Sequence, residues 1–448
     1  MPRADPFNLL FACSPRDIRT LPVSTELSIK IPGRKNSAVK TGFFKVKTRE
    51  EVWDEFERFS PLPSEEISLD QALNRVLAES IIAKADLPSF TRSIVDGYAV
   101  RARDTFGASA SLPSLLEIVG EVGMGETVSF ELSGGKAARI PTGGMLPAGA
   151  DSVVMVEYTE ELDQKSVAIS RSVAPLENII RPGDDFNAGQ EVLQAGKQLR
   201  PQEIGLLAGL GQNKILVRAR PKVAIISTGD EIVPIEKEPR LGELRDINSH
   251  SLAAMVESCG GVPLQLGLSP DHFSILREKC QEALDRADIC LISGGSSVGS
   301  RDLTLDVLAS FEGSEVLVHG VAISPGKPTL LVKVGEKGFW GLPGHVASAM
   351  VVFKVLVRPF MDYLRGVQLS LGEGRPVRAQ LNRNVASKHG REDFVRVRIT
   401  EKDSELIAEP IFGESALIST LVRAHGLVRI DRHTEGLYAG EMVEVIPI

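Results

Sequence analysis

The chain has 448 residues and a formal net charge of −8, because 59 acidic side chains outnumber 51 basic ones. Hydrophobic residues make up 43% and charged residues 25% of the sequence, a composition that is ordinary for a globular protein and excludes disorder for most of the chain. At roughly 100–200 residues per domain, the length predicts three or four domains. An acidic chain competes poorly for nucleic acid, whose binding rests largely on Lys and Arg, so no nucleic-acid partner is expected.

The cysteines and the apolar segments of the sequence indicate the cellular compartment in which the protein is expected. Cys13, Cys259, Cys280 and Cys290 show no CxxC spacing, which argues against a zinc site and against a disulfide framework. They are predicted to be buried, reduced thiols, which suits the cytoplasm. No apolar run of about 18 residues occurs, so no membrane span is predicted. The N terminus also lacks the long apolar stretch of a secretory signal.

The N-terminal half begins with an extension and contains several helical patterns. Residues 1–42 mix Pro, Ser, Lys and Arg without periodicity and predict a loosely ordered extension. Apolar residues recur at helical spacing from Thr48 and again over 68–79, where Ser68 is expected to cap a helix. A third short helix is predicted from Arg200, since Pro is favoured near a helix start.

A β-rich segment interrupts these helical patterns. Residues 89–186 contain short apolar runs separated by Gly and Pro clusters, which predicts a mainly-β domain. Segments 43–88 and 187–219 flank it. They are therefore predicted to form one discontinuous helical linker domain, with the β domain inserted between its two parts.

The C-terminal half predicts two further domains. Strand and helix patterns alternate over 220–367, which predicts an open, doubly wound α/β sheet. The run 223–226 is continuously apolar, as expected of a parallel strand buried on both faces. Residues 372–448 return to an alternation of period two and predict a compact β-barrel. Within the α/β domain, strands are predicted at 223–226, 262–268, 289–292, 329–334 and 338–342, and helices at 249–259, 272–286, from Leu303 and at 346–364.

Four unusual loops lie at strand ends of the predicted sheet, at 227–231, 293–302, 324–328 and 342–348. Ligands of open α/β sheets bind beyond the carboxyl ends of the strands, so the loops predict a single site. Gly294 and Gly295 would let backbone amides approach an anion, and the helix that follows offers free N–H groups. Lys327, between two prolines, places a positive charge on a stiff loop.

Acidic side chains on the same loops indicate a divalent metal. Glu231, Asp246 and Asp302 supply hard oxygen ligands, which suit Mg²⁺ shared with a phosphate. Neither a Walker A motif nor a GxGxxG motif in a strand–helix context occurs here, which argues against a kinase-like NTPase and a dinucleotide site. The residues therefore predict a phosphate-plus-metal site.

At these residues the sequence resembles the molybdopterin molybdenumtransferases, the bacterial MoeA and gephyrin E-domain family. The resemblance runs from about Phe43 to the C terminus and includes several motifs in family order. These motifs occupy residues 95–102, 139–144, 147–154, 181–185, 227–231, 293–302, 325–328 and 341–344.

The resemblance implies the last step of molybdenum cofactor synthesis. Family members take adenylylated molybdopterin and molybdate, cleave the adenylate bond in a Mg²⁺-dependent way, insert the metal and release AMP. The family fold has four domains and forms an elongated homodimer. Its active cleft lies between the α/β domain of one subunit and the inserted β domain of the other. Contacts with other cofactor-biosynthesis proteins are a further expectation, whereas no membrane partner is expected.

The resemblance also implies roles for individual residues. Glu231 and Asp302 match Mg²⁺ ligands on the phosphate side, next to the substrate-binding Gly294 and Gly295. Catalytic roles are implied for Asp96, Asp185 and Lys327. Thr142 is implied to support the wall that the β domain contributes to the cleft. The positions that match an oxyanion pocket are Ser297, Lys327, Pro328, Ser348 and Arg391, completed by Ser415 or Ser419.

The chain departs from the family pattern at three places. Ser324 stands where a second lysine is common, His345-Val346 replaces Asn-Pro, and Thr91 replaces an aspartate. The first two lie near the implied oxyanion pocket, so the choice between molybdate and tungstate stays open. A protonated His345 would partly replace the missing lysine.

Two other functions compete with metal insertion. The first is molybdopterin adenylyltransferase, which uses a similar α/β domain but has a Gly-Gly-Thr-Gly loop and no flanking β domains. The second is a cofactor-binding or scaffold protein that kept the fold and lost turnover. The Gly294-Gly-Ser-Ser loop and the flanking β segments favour metal insertion over the adenylyltransferase.

Overall fold

The computed structural model describes residues 46–294, 300–368 and 376–448, apart from the side chains of residues 300–302. The extension expected at 1–42, like Cys13, lies outside these residues. Cys280 and Cys290 are buried free thiols, as predicted, whereas Cys259 is a free thiol that is only half-buried. Burial raises the pKa of Cys280 to about 12. Within the described ranges, no helix is long and apolar enough to span a membrane.

A six-stranded sheet forms the centre of the α/β domain. Its strands, in spatial order, are Val262–Ser269, Lys222–Thr228, Ile289–Gly294, Lys337–Leu342, Leu330–Val334 and Ser314–His319. The first four run parallel, whereas Leu330–Val334 is antiparallel to both of its neighbours. The predicted doubly wound sheet is confirmed. Sequence analysis missed the edge strand Ser314–His319, in which only Leu317 and Val318 are buried.

The strands of this sheet are apolar throughout because both faces are covered. Val223 and Ile225 belong to a core that also contains Trp340, whereas Ala224 and Ile226 belong to a separate core. Successive side chains of a strand point to opposite faces, so these two cores lie on the two sides of the sheet. The continuous apolar run at 223–226 follows from this double burial.

Helices supply the other half of each core. Leu252 packs on the first core and Leu276 on the second. The helix predicted from Leu303 begins earlier, at Ser300, and the long predicted helix at 346–364 contains a π-helical turn in its middle. The helical bounds are Asn248–Ser258, Phe273–Arg286, Ser300–Ala309, Val346–Val352, Phe353–Val357 (the π turn) and Arg358–Leu364.

The inserted segment is mainly β, as predicted. Its six-stranded sheet has the spatial order Ser152–Met155, Gly97–Val100, Lys136–Ile140, Ser114–Glu121, Ser166–Ile169 and Thr159–Asp163. Arg92–Ser93 pairs with Ile179–Ile180 beside it. Tyr98 and Val154 lie in one core, whereas Ala99 and Val153 lie in another. Both faces of this sheet are therefore packed.

The two linker segments pair with each other, although the inserted domain separates them in sequence. Ser64–Ser68 is antiparallel to Lys214–Arg218, and Ile81–Ile82 to Glu191–Leu193. Leu77, from the first segment, shares a core with the second segment, which includes the predicted helix, observed as Pro201–Gly209.

The helix predicted at 68–79 is wrong. Only a 3₁₀ turn, Leu69–Gln71, forms there, and Asn74 adopts a left-handed conformation with φ of 63°. The backbone N–H groups of Asn74 and Leu77 donate to the carbonyls of Leu199 and Lys197, at 2.8 and 3.0 Å. This pairing with the distant segment replaces the hydrogen bonds that a helix would have made.

The first described helix, Arg49–Asp54, carries a capping box at Thr48. Phe56 and Phe59, in and just after the 3₁₀ turn that follows, lie 5.1 and 4.8 Å from the ring centre of Phe360. The helix therefore packs on the α/β core, although the predicted boundaries grouped it with the linker domain.

The C-terminal region is a closed barrel of five strands, which confirms the predicted β-barrel. In order around the barrel they are Glu392–Lys402, Glu405–Pro410, Val377–Leu381, Met442–Pro447 and Gly426–Ile430, which pairs again with the first. A short helix, Ser419–Val422, and a strand pair, Val385–Ala386 with Gly436–Leu437, lie outside the barrel ring. The strand Ile323–Ser324 of the α/β domain joins the barrel beside Glu392–Asp393.

Candidate active site

The carboxyl ends of the four parallel strands meet at one edge of the α/β sheet. Gly294 ends its strand with a φ of 142°, and a Cβ there would lie 1.9 Å from a carbonyl oxygen of the neighbouring strand, so only glycine fits. Asn248, at the start of the helix Asn248–Ser258, joins this helix to the loop 342–348 because its Nδ2 donates to the Gly344 carbonyl at 2.8 Å. Gly295 and Ser297 lie outside the described residues.

Two of the acidic residues at this edge differ sharply in their surroundings. Asp246 is 7% exposed, and its Oδ1 accepts hydrogen bonds from the Ser227 hydroxyl at 3.0 Å and the Ser249 N–H at 3.1 Å. The Ser249 hydroxyl donates to its Oδ2. Asp246 therefore anchors the start of a helix and is not available as the metal ligand that the sequence indicated. Glu231 is exposed, and no residue of the described chain bonds to its carboxylate.

The structure allows a test of whether these residues fit a magnesium ion. Among the described residues, no group of three or more His, Cys, Asp or Glu could hold a metal on its own. The side chain of Asp302 is outside the described part, although its backbone lies in the first turn of Ser300–Ala309. Magnesium is usually held by one or two carboxylates, waters and a substrate phosphate. Glu231 with Asp302 fits that donor set.

Strand pairing joins the segment that leads into the loop of Lys327 to the segment that follows Arg391. Ser324 lies opposite Asp393, and the Glu392 N–H donates to the Ala322 carbonyl at 2.9 Å. Two positively charged residues from distant parts of the sequence therefore flank one pair of strands at the edge of the site.

The loop of Lys327 is held tightly. Gly326 has a φ of 120°, and a Cβ there would lie 2.6 Å from Val352, on the helix that also carries the buried Ser348. The Lys327 carbonyl accepts hydrogen bonds from the backbone at 2.9 and 3.0 Å, before Pro328 and a buried threonine. The Lys327 side chain is exposed, and within the described ranges no carboxylate pairs with it. Its charge is therefore available to an anion.

Arg391 has a carboxylate partner that the sequence analysis did not identify. Arg391 Nε lies 3.0 Å from Oδ1 of Asp393, yet neither atom finds an aligned hydrogen-bond partner. Arg391 Nη2 donates to Oδ2 at 3.3 Å, and the Ser387 hydroxyl donates to the same oxygen at 2.6 Å. Side chains two residues apart in an extended segment lie on the same face, so the spacing of residues 391 and 393 could have indicated this pair from the sequence.

His345 and Ser415 meet at the start of the last α/β helix. His345 Nδ1 lies 2.7 Å from the Ser415 hydroxyl, and the Ala347 N–H donates to the Ser415 carbonyl at 3.0 Å. The two serines left open by the sequence thus differ in position. Ser415 lies against His345, whereas Ser419 begins a separate short helix.

The inserted β domain brings Asp96 and Thr142 together. Strands Gly97–Val100 and Lys136–Ile140 are antiparallel neighbours, and Asp96 Oδ1 accepts from the Thr142 N–H at 2.7 Å and from its hydroxyl at 3.0 Å. The backbone hydrogen bond, and then the hydroxyl, lower the pKa of Asp96. Asp96 is therefore an ionised, exposed carboxylate with a fixed orientation.

A second carboxylate in this domain is held by two neighbours. Arg139 Nε and Nη2 donate to Glu161 at 2.7 and 2.9 Å, and the Tyr98 hydroxyl also donates to it. The arginine first and the tyrosine second lower the pKa of Glu161 to about 2. Sequence reasoning found the motifs of Tyr98 and Arg139 but not this partner.

The predicted site residues thus fall into two groups. Asp96, Thr142 and the exposed Asp185 lie in or beside the inserted domain, and no hydrogen bond or ion pair of the described chain joins them to Glu231 or Lys327. The second group gathers at the carboxyl edge of the α/β sheet and comprises Glu231, Gly294, Lys327, Pro328, Ser348 and Arg391.

Family models match three consecutive regions of the chain. Residues 47–211 match the model described as "MoeA N-terminal region (domain I and II)". Residues 224–363 match the model described as "Probable molybdopterin binding domain", and residues 378–448 match the one described as "MoeA C-terminal region (domain IV)". A molybdopterin molybdenumtransferase of Haemophilus influenzae is 34% identical over 86% of this chain and 94% of its own length. One from Bacillus subtilis is 30% identical over 86% and 90%. The crystal structure of a molybdopterin biosynthesis moeA protein from Pyrococcus horikoshii is similar with a TM-score of 0.78 at 32% identity, covering 90% of this chain and all of that one.

Proposed function

Because the chain belongs to the molybdopterin molybdenumtransferase family, whose members are transferases of molybdenum cofactor biosynthesis, we propose that it inserts molybdenum into adenylylated molybdopterin. Molybdate is the metal-bearing substrate, and the adenylate bond is cleaved so that AMP leaves.

The observation that carries this proposal is the pairing of the Lys327 loop with the segment of Arg391. Molybdate is a compact dianion, and the protein as a whole has a charge of −8. Attraction must therefore come from local donors. Lys327 is exposed and has no carboxylate partner in the described chain, so its charge is available to an oxyanion. Arg391 is paired with Asp393, and its guanidinium would contribute through the N–H groups that this pair leaves unused. Ser348 and Ser415 lie on the adjoining helix and loop.

The phosphate side of the substrate is assigned to the loops that follow two parallel strands. The N terminus of Ser300–Ala309 would offer backbone N–H groups to a phosphate. Glu231 and Asp302 would hold Mg²⁺ there. Bound Mg²⁺ would neutralise the charge that develops on the phosphoryl oxygens as the bond breaks.

The inserted domain is proposed to complete the cleft of a partner subunit in a homodimer. Asp96, held by Thr142, would present an ionised carboxylate to the substrate, with Asp185 on the same wall. This arrangement accounts for two groups of site residues that make no contact with each other in the described chain.

The test supplies purified protein with adenylylated molybdopterin, molybdate and Mg²⁺ and measures AMP release together with active cofactor. Asp302→Asn should abolish Mg²⁺-dependent turnover without unfolding the protein. Asp306→Asn, exposed one turn further along the same helix, is the matched control and should leave turnover unchanged.

Two outcomes would contradict the proposed function, and a third would contradict only its metal assignment. Consumption of ATP with bare molybdopterin would favour the adenylyltransferase. Binding of substrate without AMP release would favour a scaffold. Full activity of Asp302→Asn would overturn the metal assignment alone.

A further inference from the structure

A polar cavity of about 530 Å³ lies at the end of the α/β sheet opposite the candidate active site. Arg220 lines it and precedes the strand Lys222–Thr228, whereas Gly260 lines it and follows the helix Asn248–Ser258. Both positions belong to the amino edge of the parallel strands. The cavity is therefore a separate feature from the loops at the carboxyl edge.

Arginine dominates the charge of this cavity. The linker segments contribute Arg75 and Arg218, and the α/β domain and its boundary contribute Arg220 and Arg365. Glu257 is the single carboxylate in the lining described. The remaining lining is mostly polar and includes Gln71, Asn74, Gln198 and Ser258.

The four arginines are not equally balanced by carboxylates. Arg75 pairs with Glu65, and Arg365 Nη1 lies 3.3 Å from Asp362. Arg218 and Arg220, by contrast, form no ion pair with any carboxylate of the described chain. Two positive charges at this cavity are therefore not held in ion pairs, and Glu257 is the one carboxylate described in the lining that offsets them.

Backbone carbonyls fix the orientation of these two side chains. Arg218 Nη1 donates to the carbonyl of Leu62 at 3.1 Å. Arg220 Nε and Nη2 donate to the carbonyls of Gly260 and Gly261 at 3.1 and 2.8 Å. A guanidinium has five N–H donors, so these bonds hold each group in place and leave donors for a ligand.

We infer that this cavity binds a phosphorylated small molecule, which it recognises through the phosphate group. Fixed guanidinium groups match the geometry of phosphate oxygens. The volume lies in the range of roughly 300–1,000 Å³ that is usual for small-molecule sites, so there is room for more than the phosphate. The linker segments and the α/β domain both form its walls, so a bound ligand stabilises their arrangement in the folded chain.

Calorimetry on the full chain tests this inference with inorganic phosphate and glycerol 3-phosphate as probes. Arg220→Gln should weaken phosphate binding at least about tenfold, as expected for losing a charged hydrogen-bond donor. Gln71→Glu leaves every arginine in place but adds a carboxylate to the cavity lining. It should also weaken phosphate binding, because the carboxylate repels the phosphate. Arg286→Gln removes an exposed arginine outside the cavity and should change nothing.

The same measurements separate this cavity from the candidate active site. Phosphate binding should survive Lys327→Gln, and glycerol 3-phosphate should bind at least as tightly as phosphate. Loss of binding in Lys327→Gln with no effect of Arg220→Gln or Gln71→Glu would overturn the inference, because phosphate would then bind at the strand-end loops. Absence of phosphate binding to the unmodified chain would show that the arginines serve only to hold carbonyls.

Discussion

At the scale of single residues, hydrogen bonds set the charge of the carboxylates in the inserted β domain. Thr142 lowers the pKa of Asp96, and Arg139 with Tyr98 lowers that of Glu161. Burial first, and then the bond to Glu161, raise the pKa of Tyr98 to about 12. Asp96 and Glu161 therefore stay ionised, and Tyr98 stays neutral, across the physiological range.

The pH dependence of stability should report the Glu161 interactions. The folded pKa of about 2 lies below the ordinary value of 4.5, so the carboxylate contributes stability that is fully present above about pH 4.5 and is lost as the pH falls towards 2. Glu161→Gln should therefore destabilise the protein at neutral pH, with a difference that shrinks in acid. Urea unfolding of both proteins over this range measures it, and a difference independent of pH would contradict the assignment.

His345 is predicted to contribute to oxyanion binding. It lies against Ser415 at the edge that carries Lys327, and its imidazole can donate a hydrogen bond to an oxyanion. His345→Asn should therefore weaken the binding of molybdate. Titrations of both proteins with molybdate and tungstate measure the affinities, and an unchanged affinity in the variant would contradict the hypothesis.

At the scale of elements, a buried carboxylate joins the first helix to the barrel strand of Arg391. Glu392 is 5% exposed and accepts from Arg49 Nε at 2.9 Å and from Arg429 Nη1 at 3.1 Å. These contacts fix the start of the strand that carries the proposed oxyanion donor.

Removing this carboxylate should affect both stability and binding. Glu392→Ala leaves the exposed Arg429 without its ion-pair partner and leaves the half-buried Arg49 paired with Glu50 only, so it should cost about 2 kcal/mol of unfolding free energy. Molybdate affinity should fall as well, because Arg391 is no longer held. The control is Glu409→Ala, which breaks an exposed pair with Arg398 in the same barrel and should cost less than about 1 kcal/mol. Equal costs for the two variants would contradict the prediction.

At the scale of the whole molecule, two groups of site residues lie on separate sheets, which is what a cleft shared between subunits requires. Mixing Asp96→Asn with Asp302→Asn should restore activity, because a mixed dimer contains one intact cleft. With random exchange of subunits, about a quarter of the unmodified activity is expected. Asp96→Asn mixed with Asp185→Asn should recover none, since both changes affect the same wall. No recovery in the first mixture would contradict a shared cleft.

The sequence by itself determined the fold class, the family and the loops of the site. Continuous apolar runs marked the parallel strands because both of their faces are buried, and glycines such as Gly294 marked close approaches of the backbone. These features are local, so they can be read from consecutive residues. The domain boundaries and the roles of individual site residues stay predictions.

Only the tertiary structure decided which side chains meet. It replaced the helix expected at 68–79 with pairing to a distant segment, turned Asp246 into a helix anchor and gave Arg391 its partner Asp393. It also assembled the arginine cavity from five separate stretches, and it joined Arg49 to Glu392 across 343 positions of sequence. Such contacts depend on how elements pack, and local periodicity carries no information about partners that far apart.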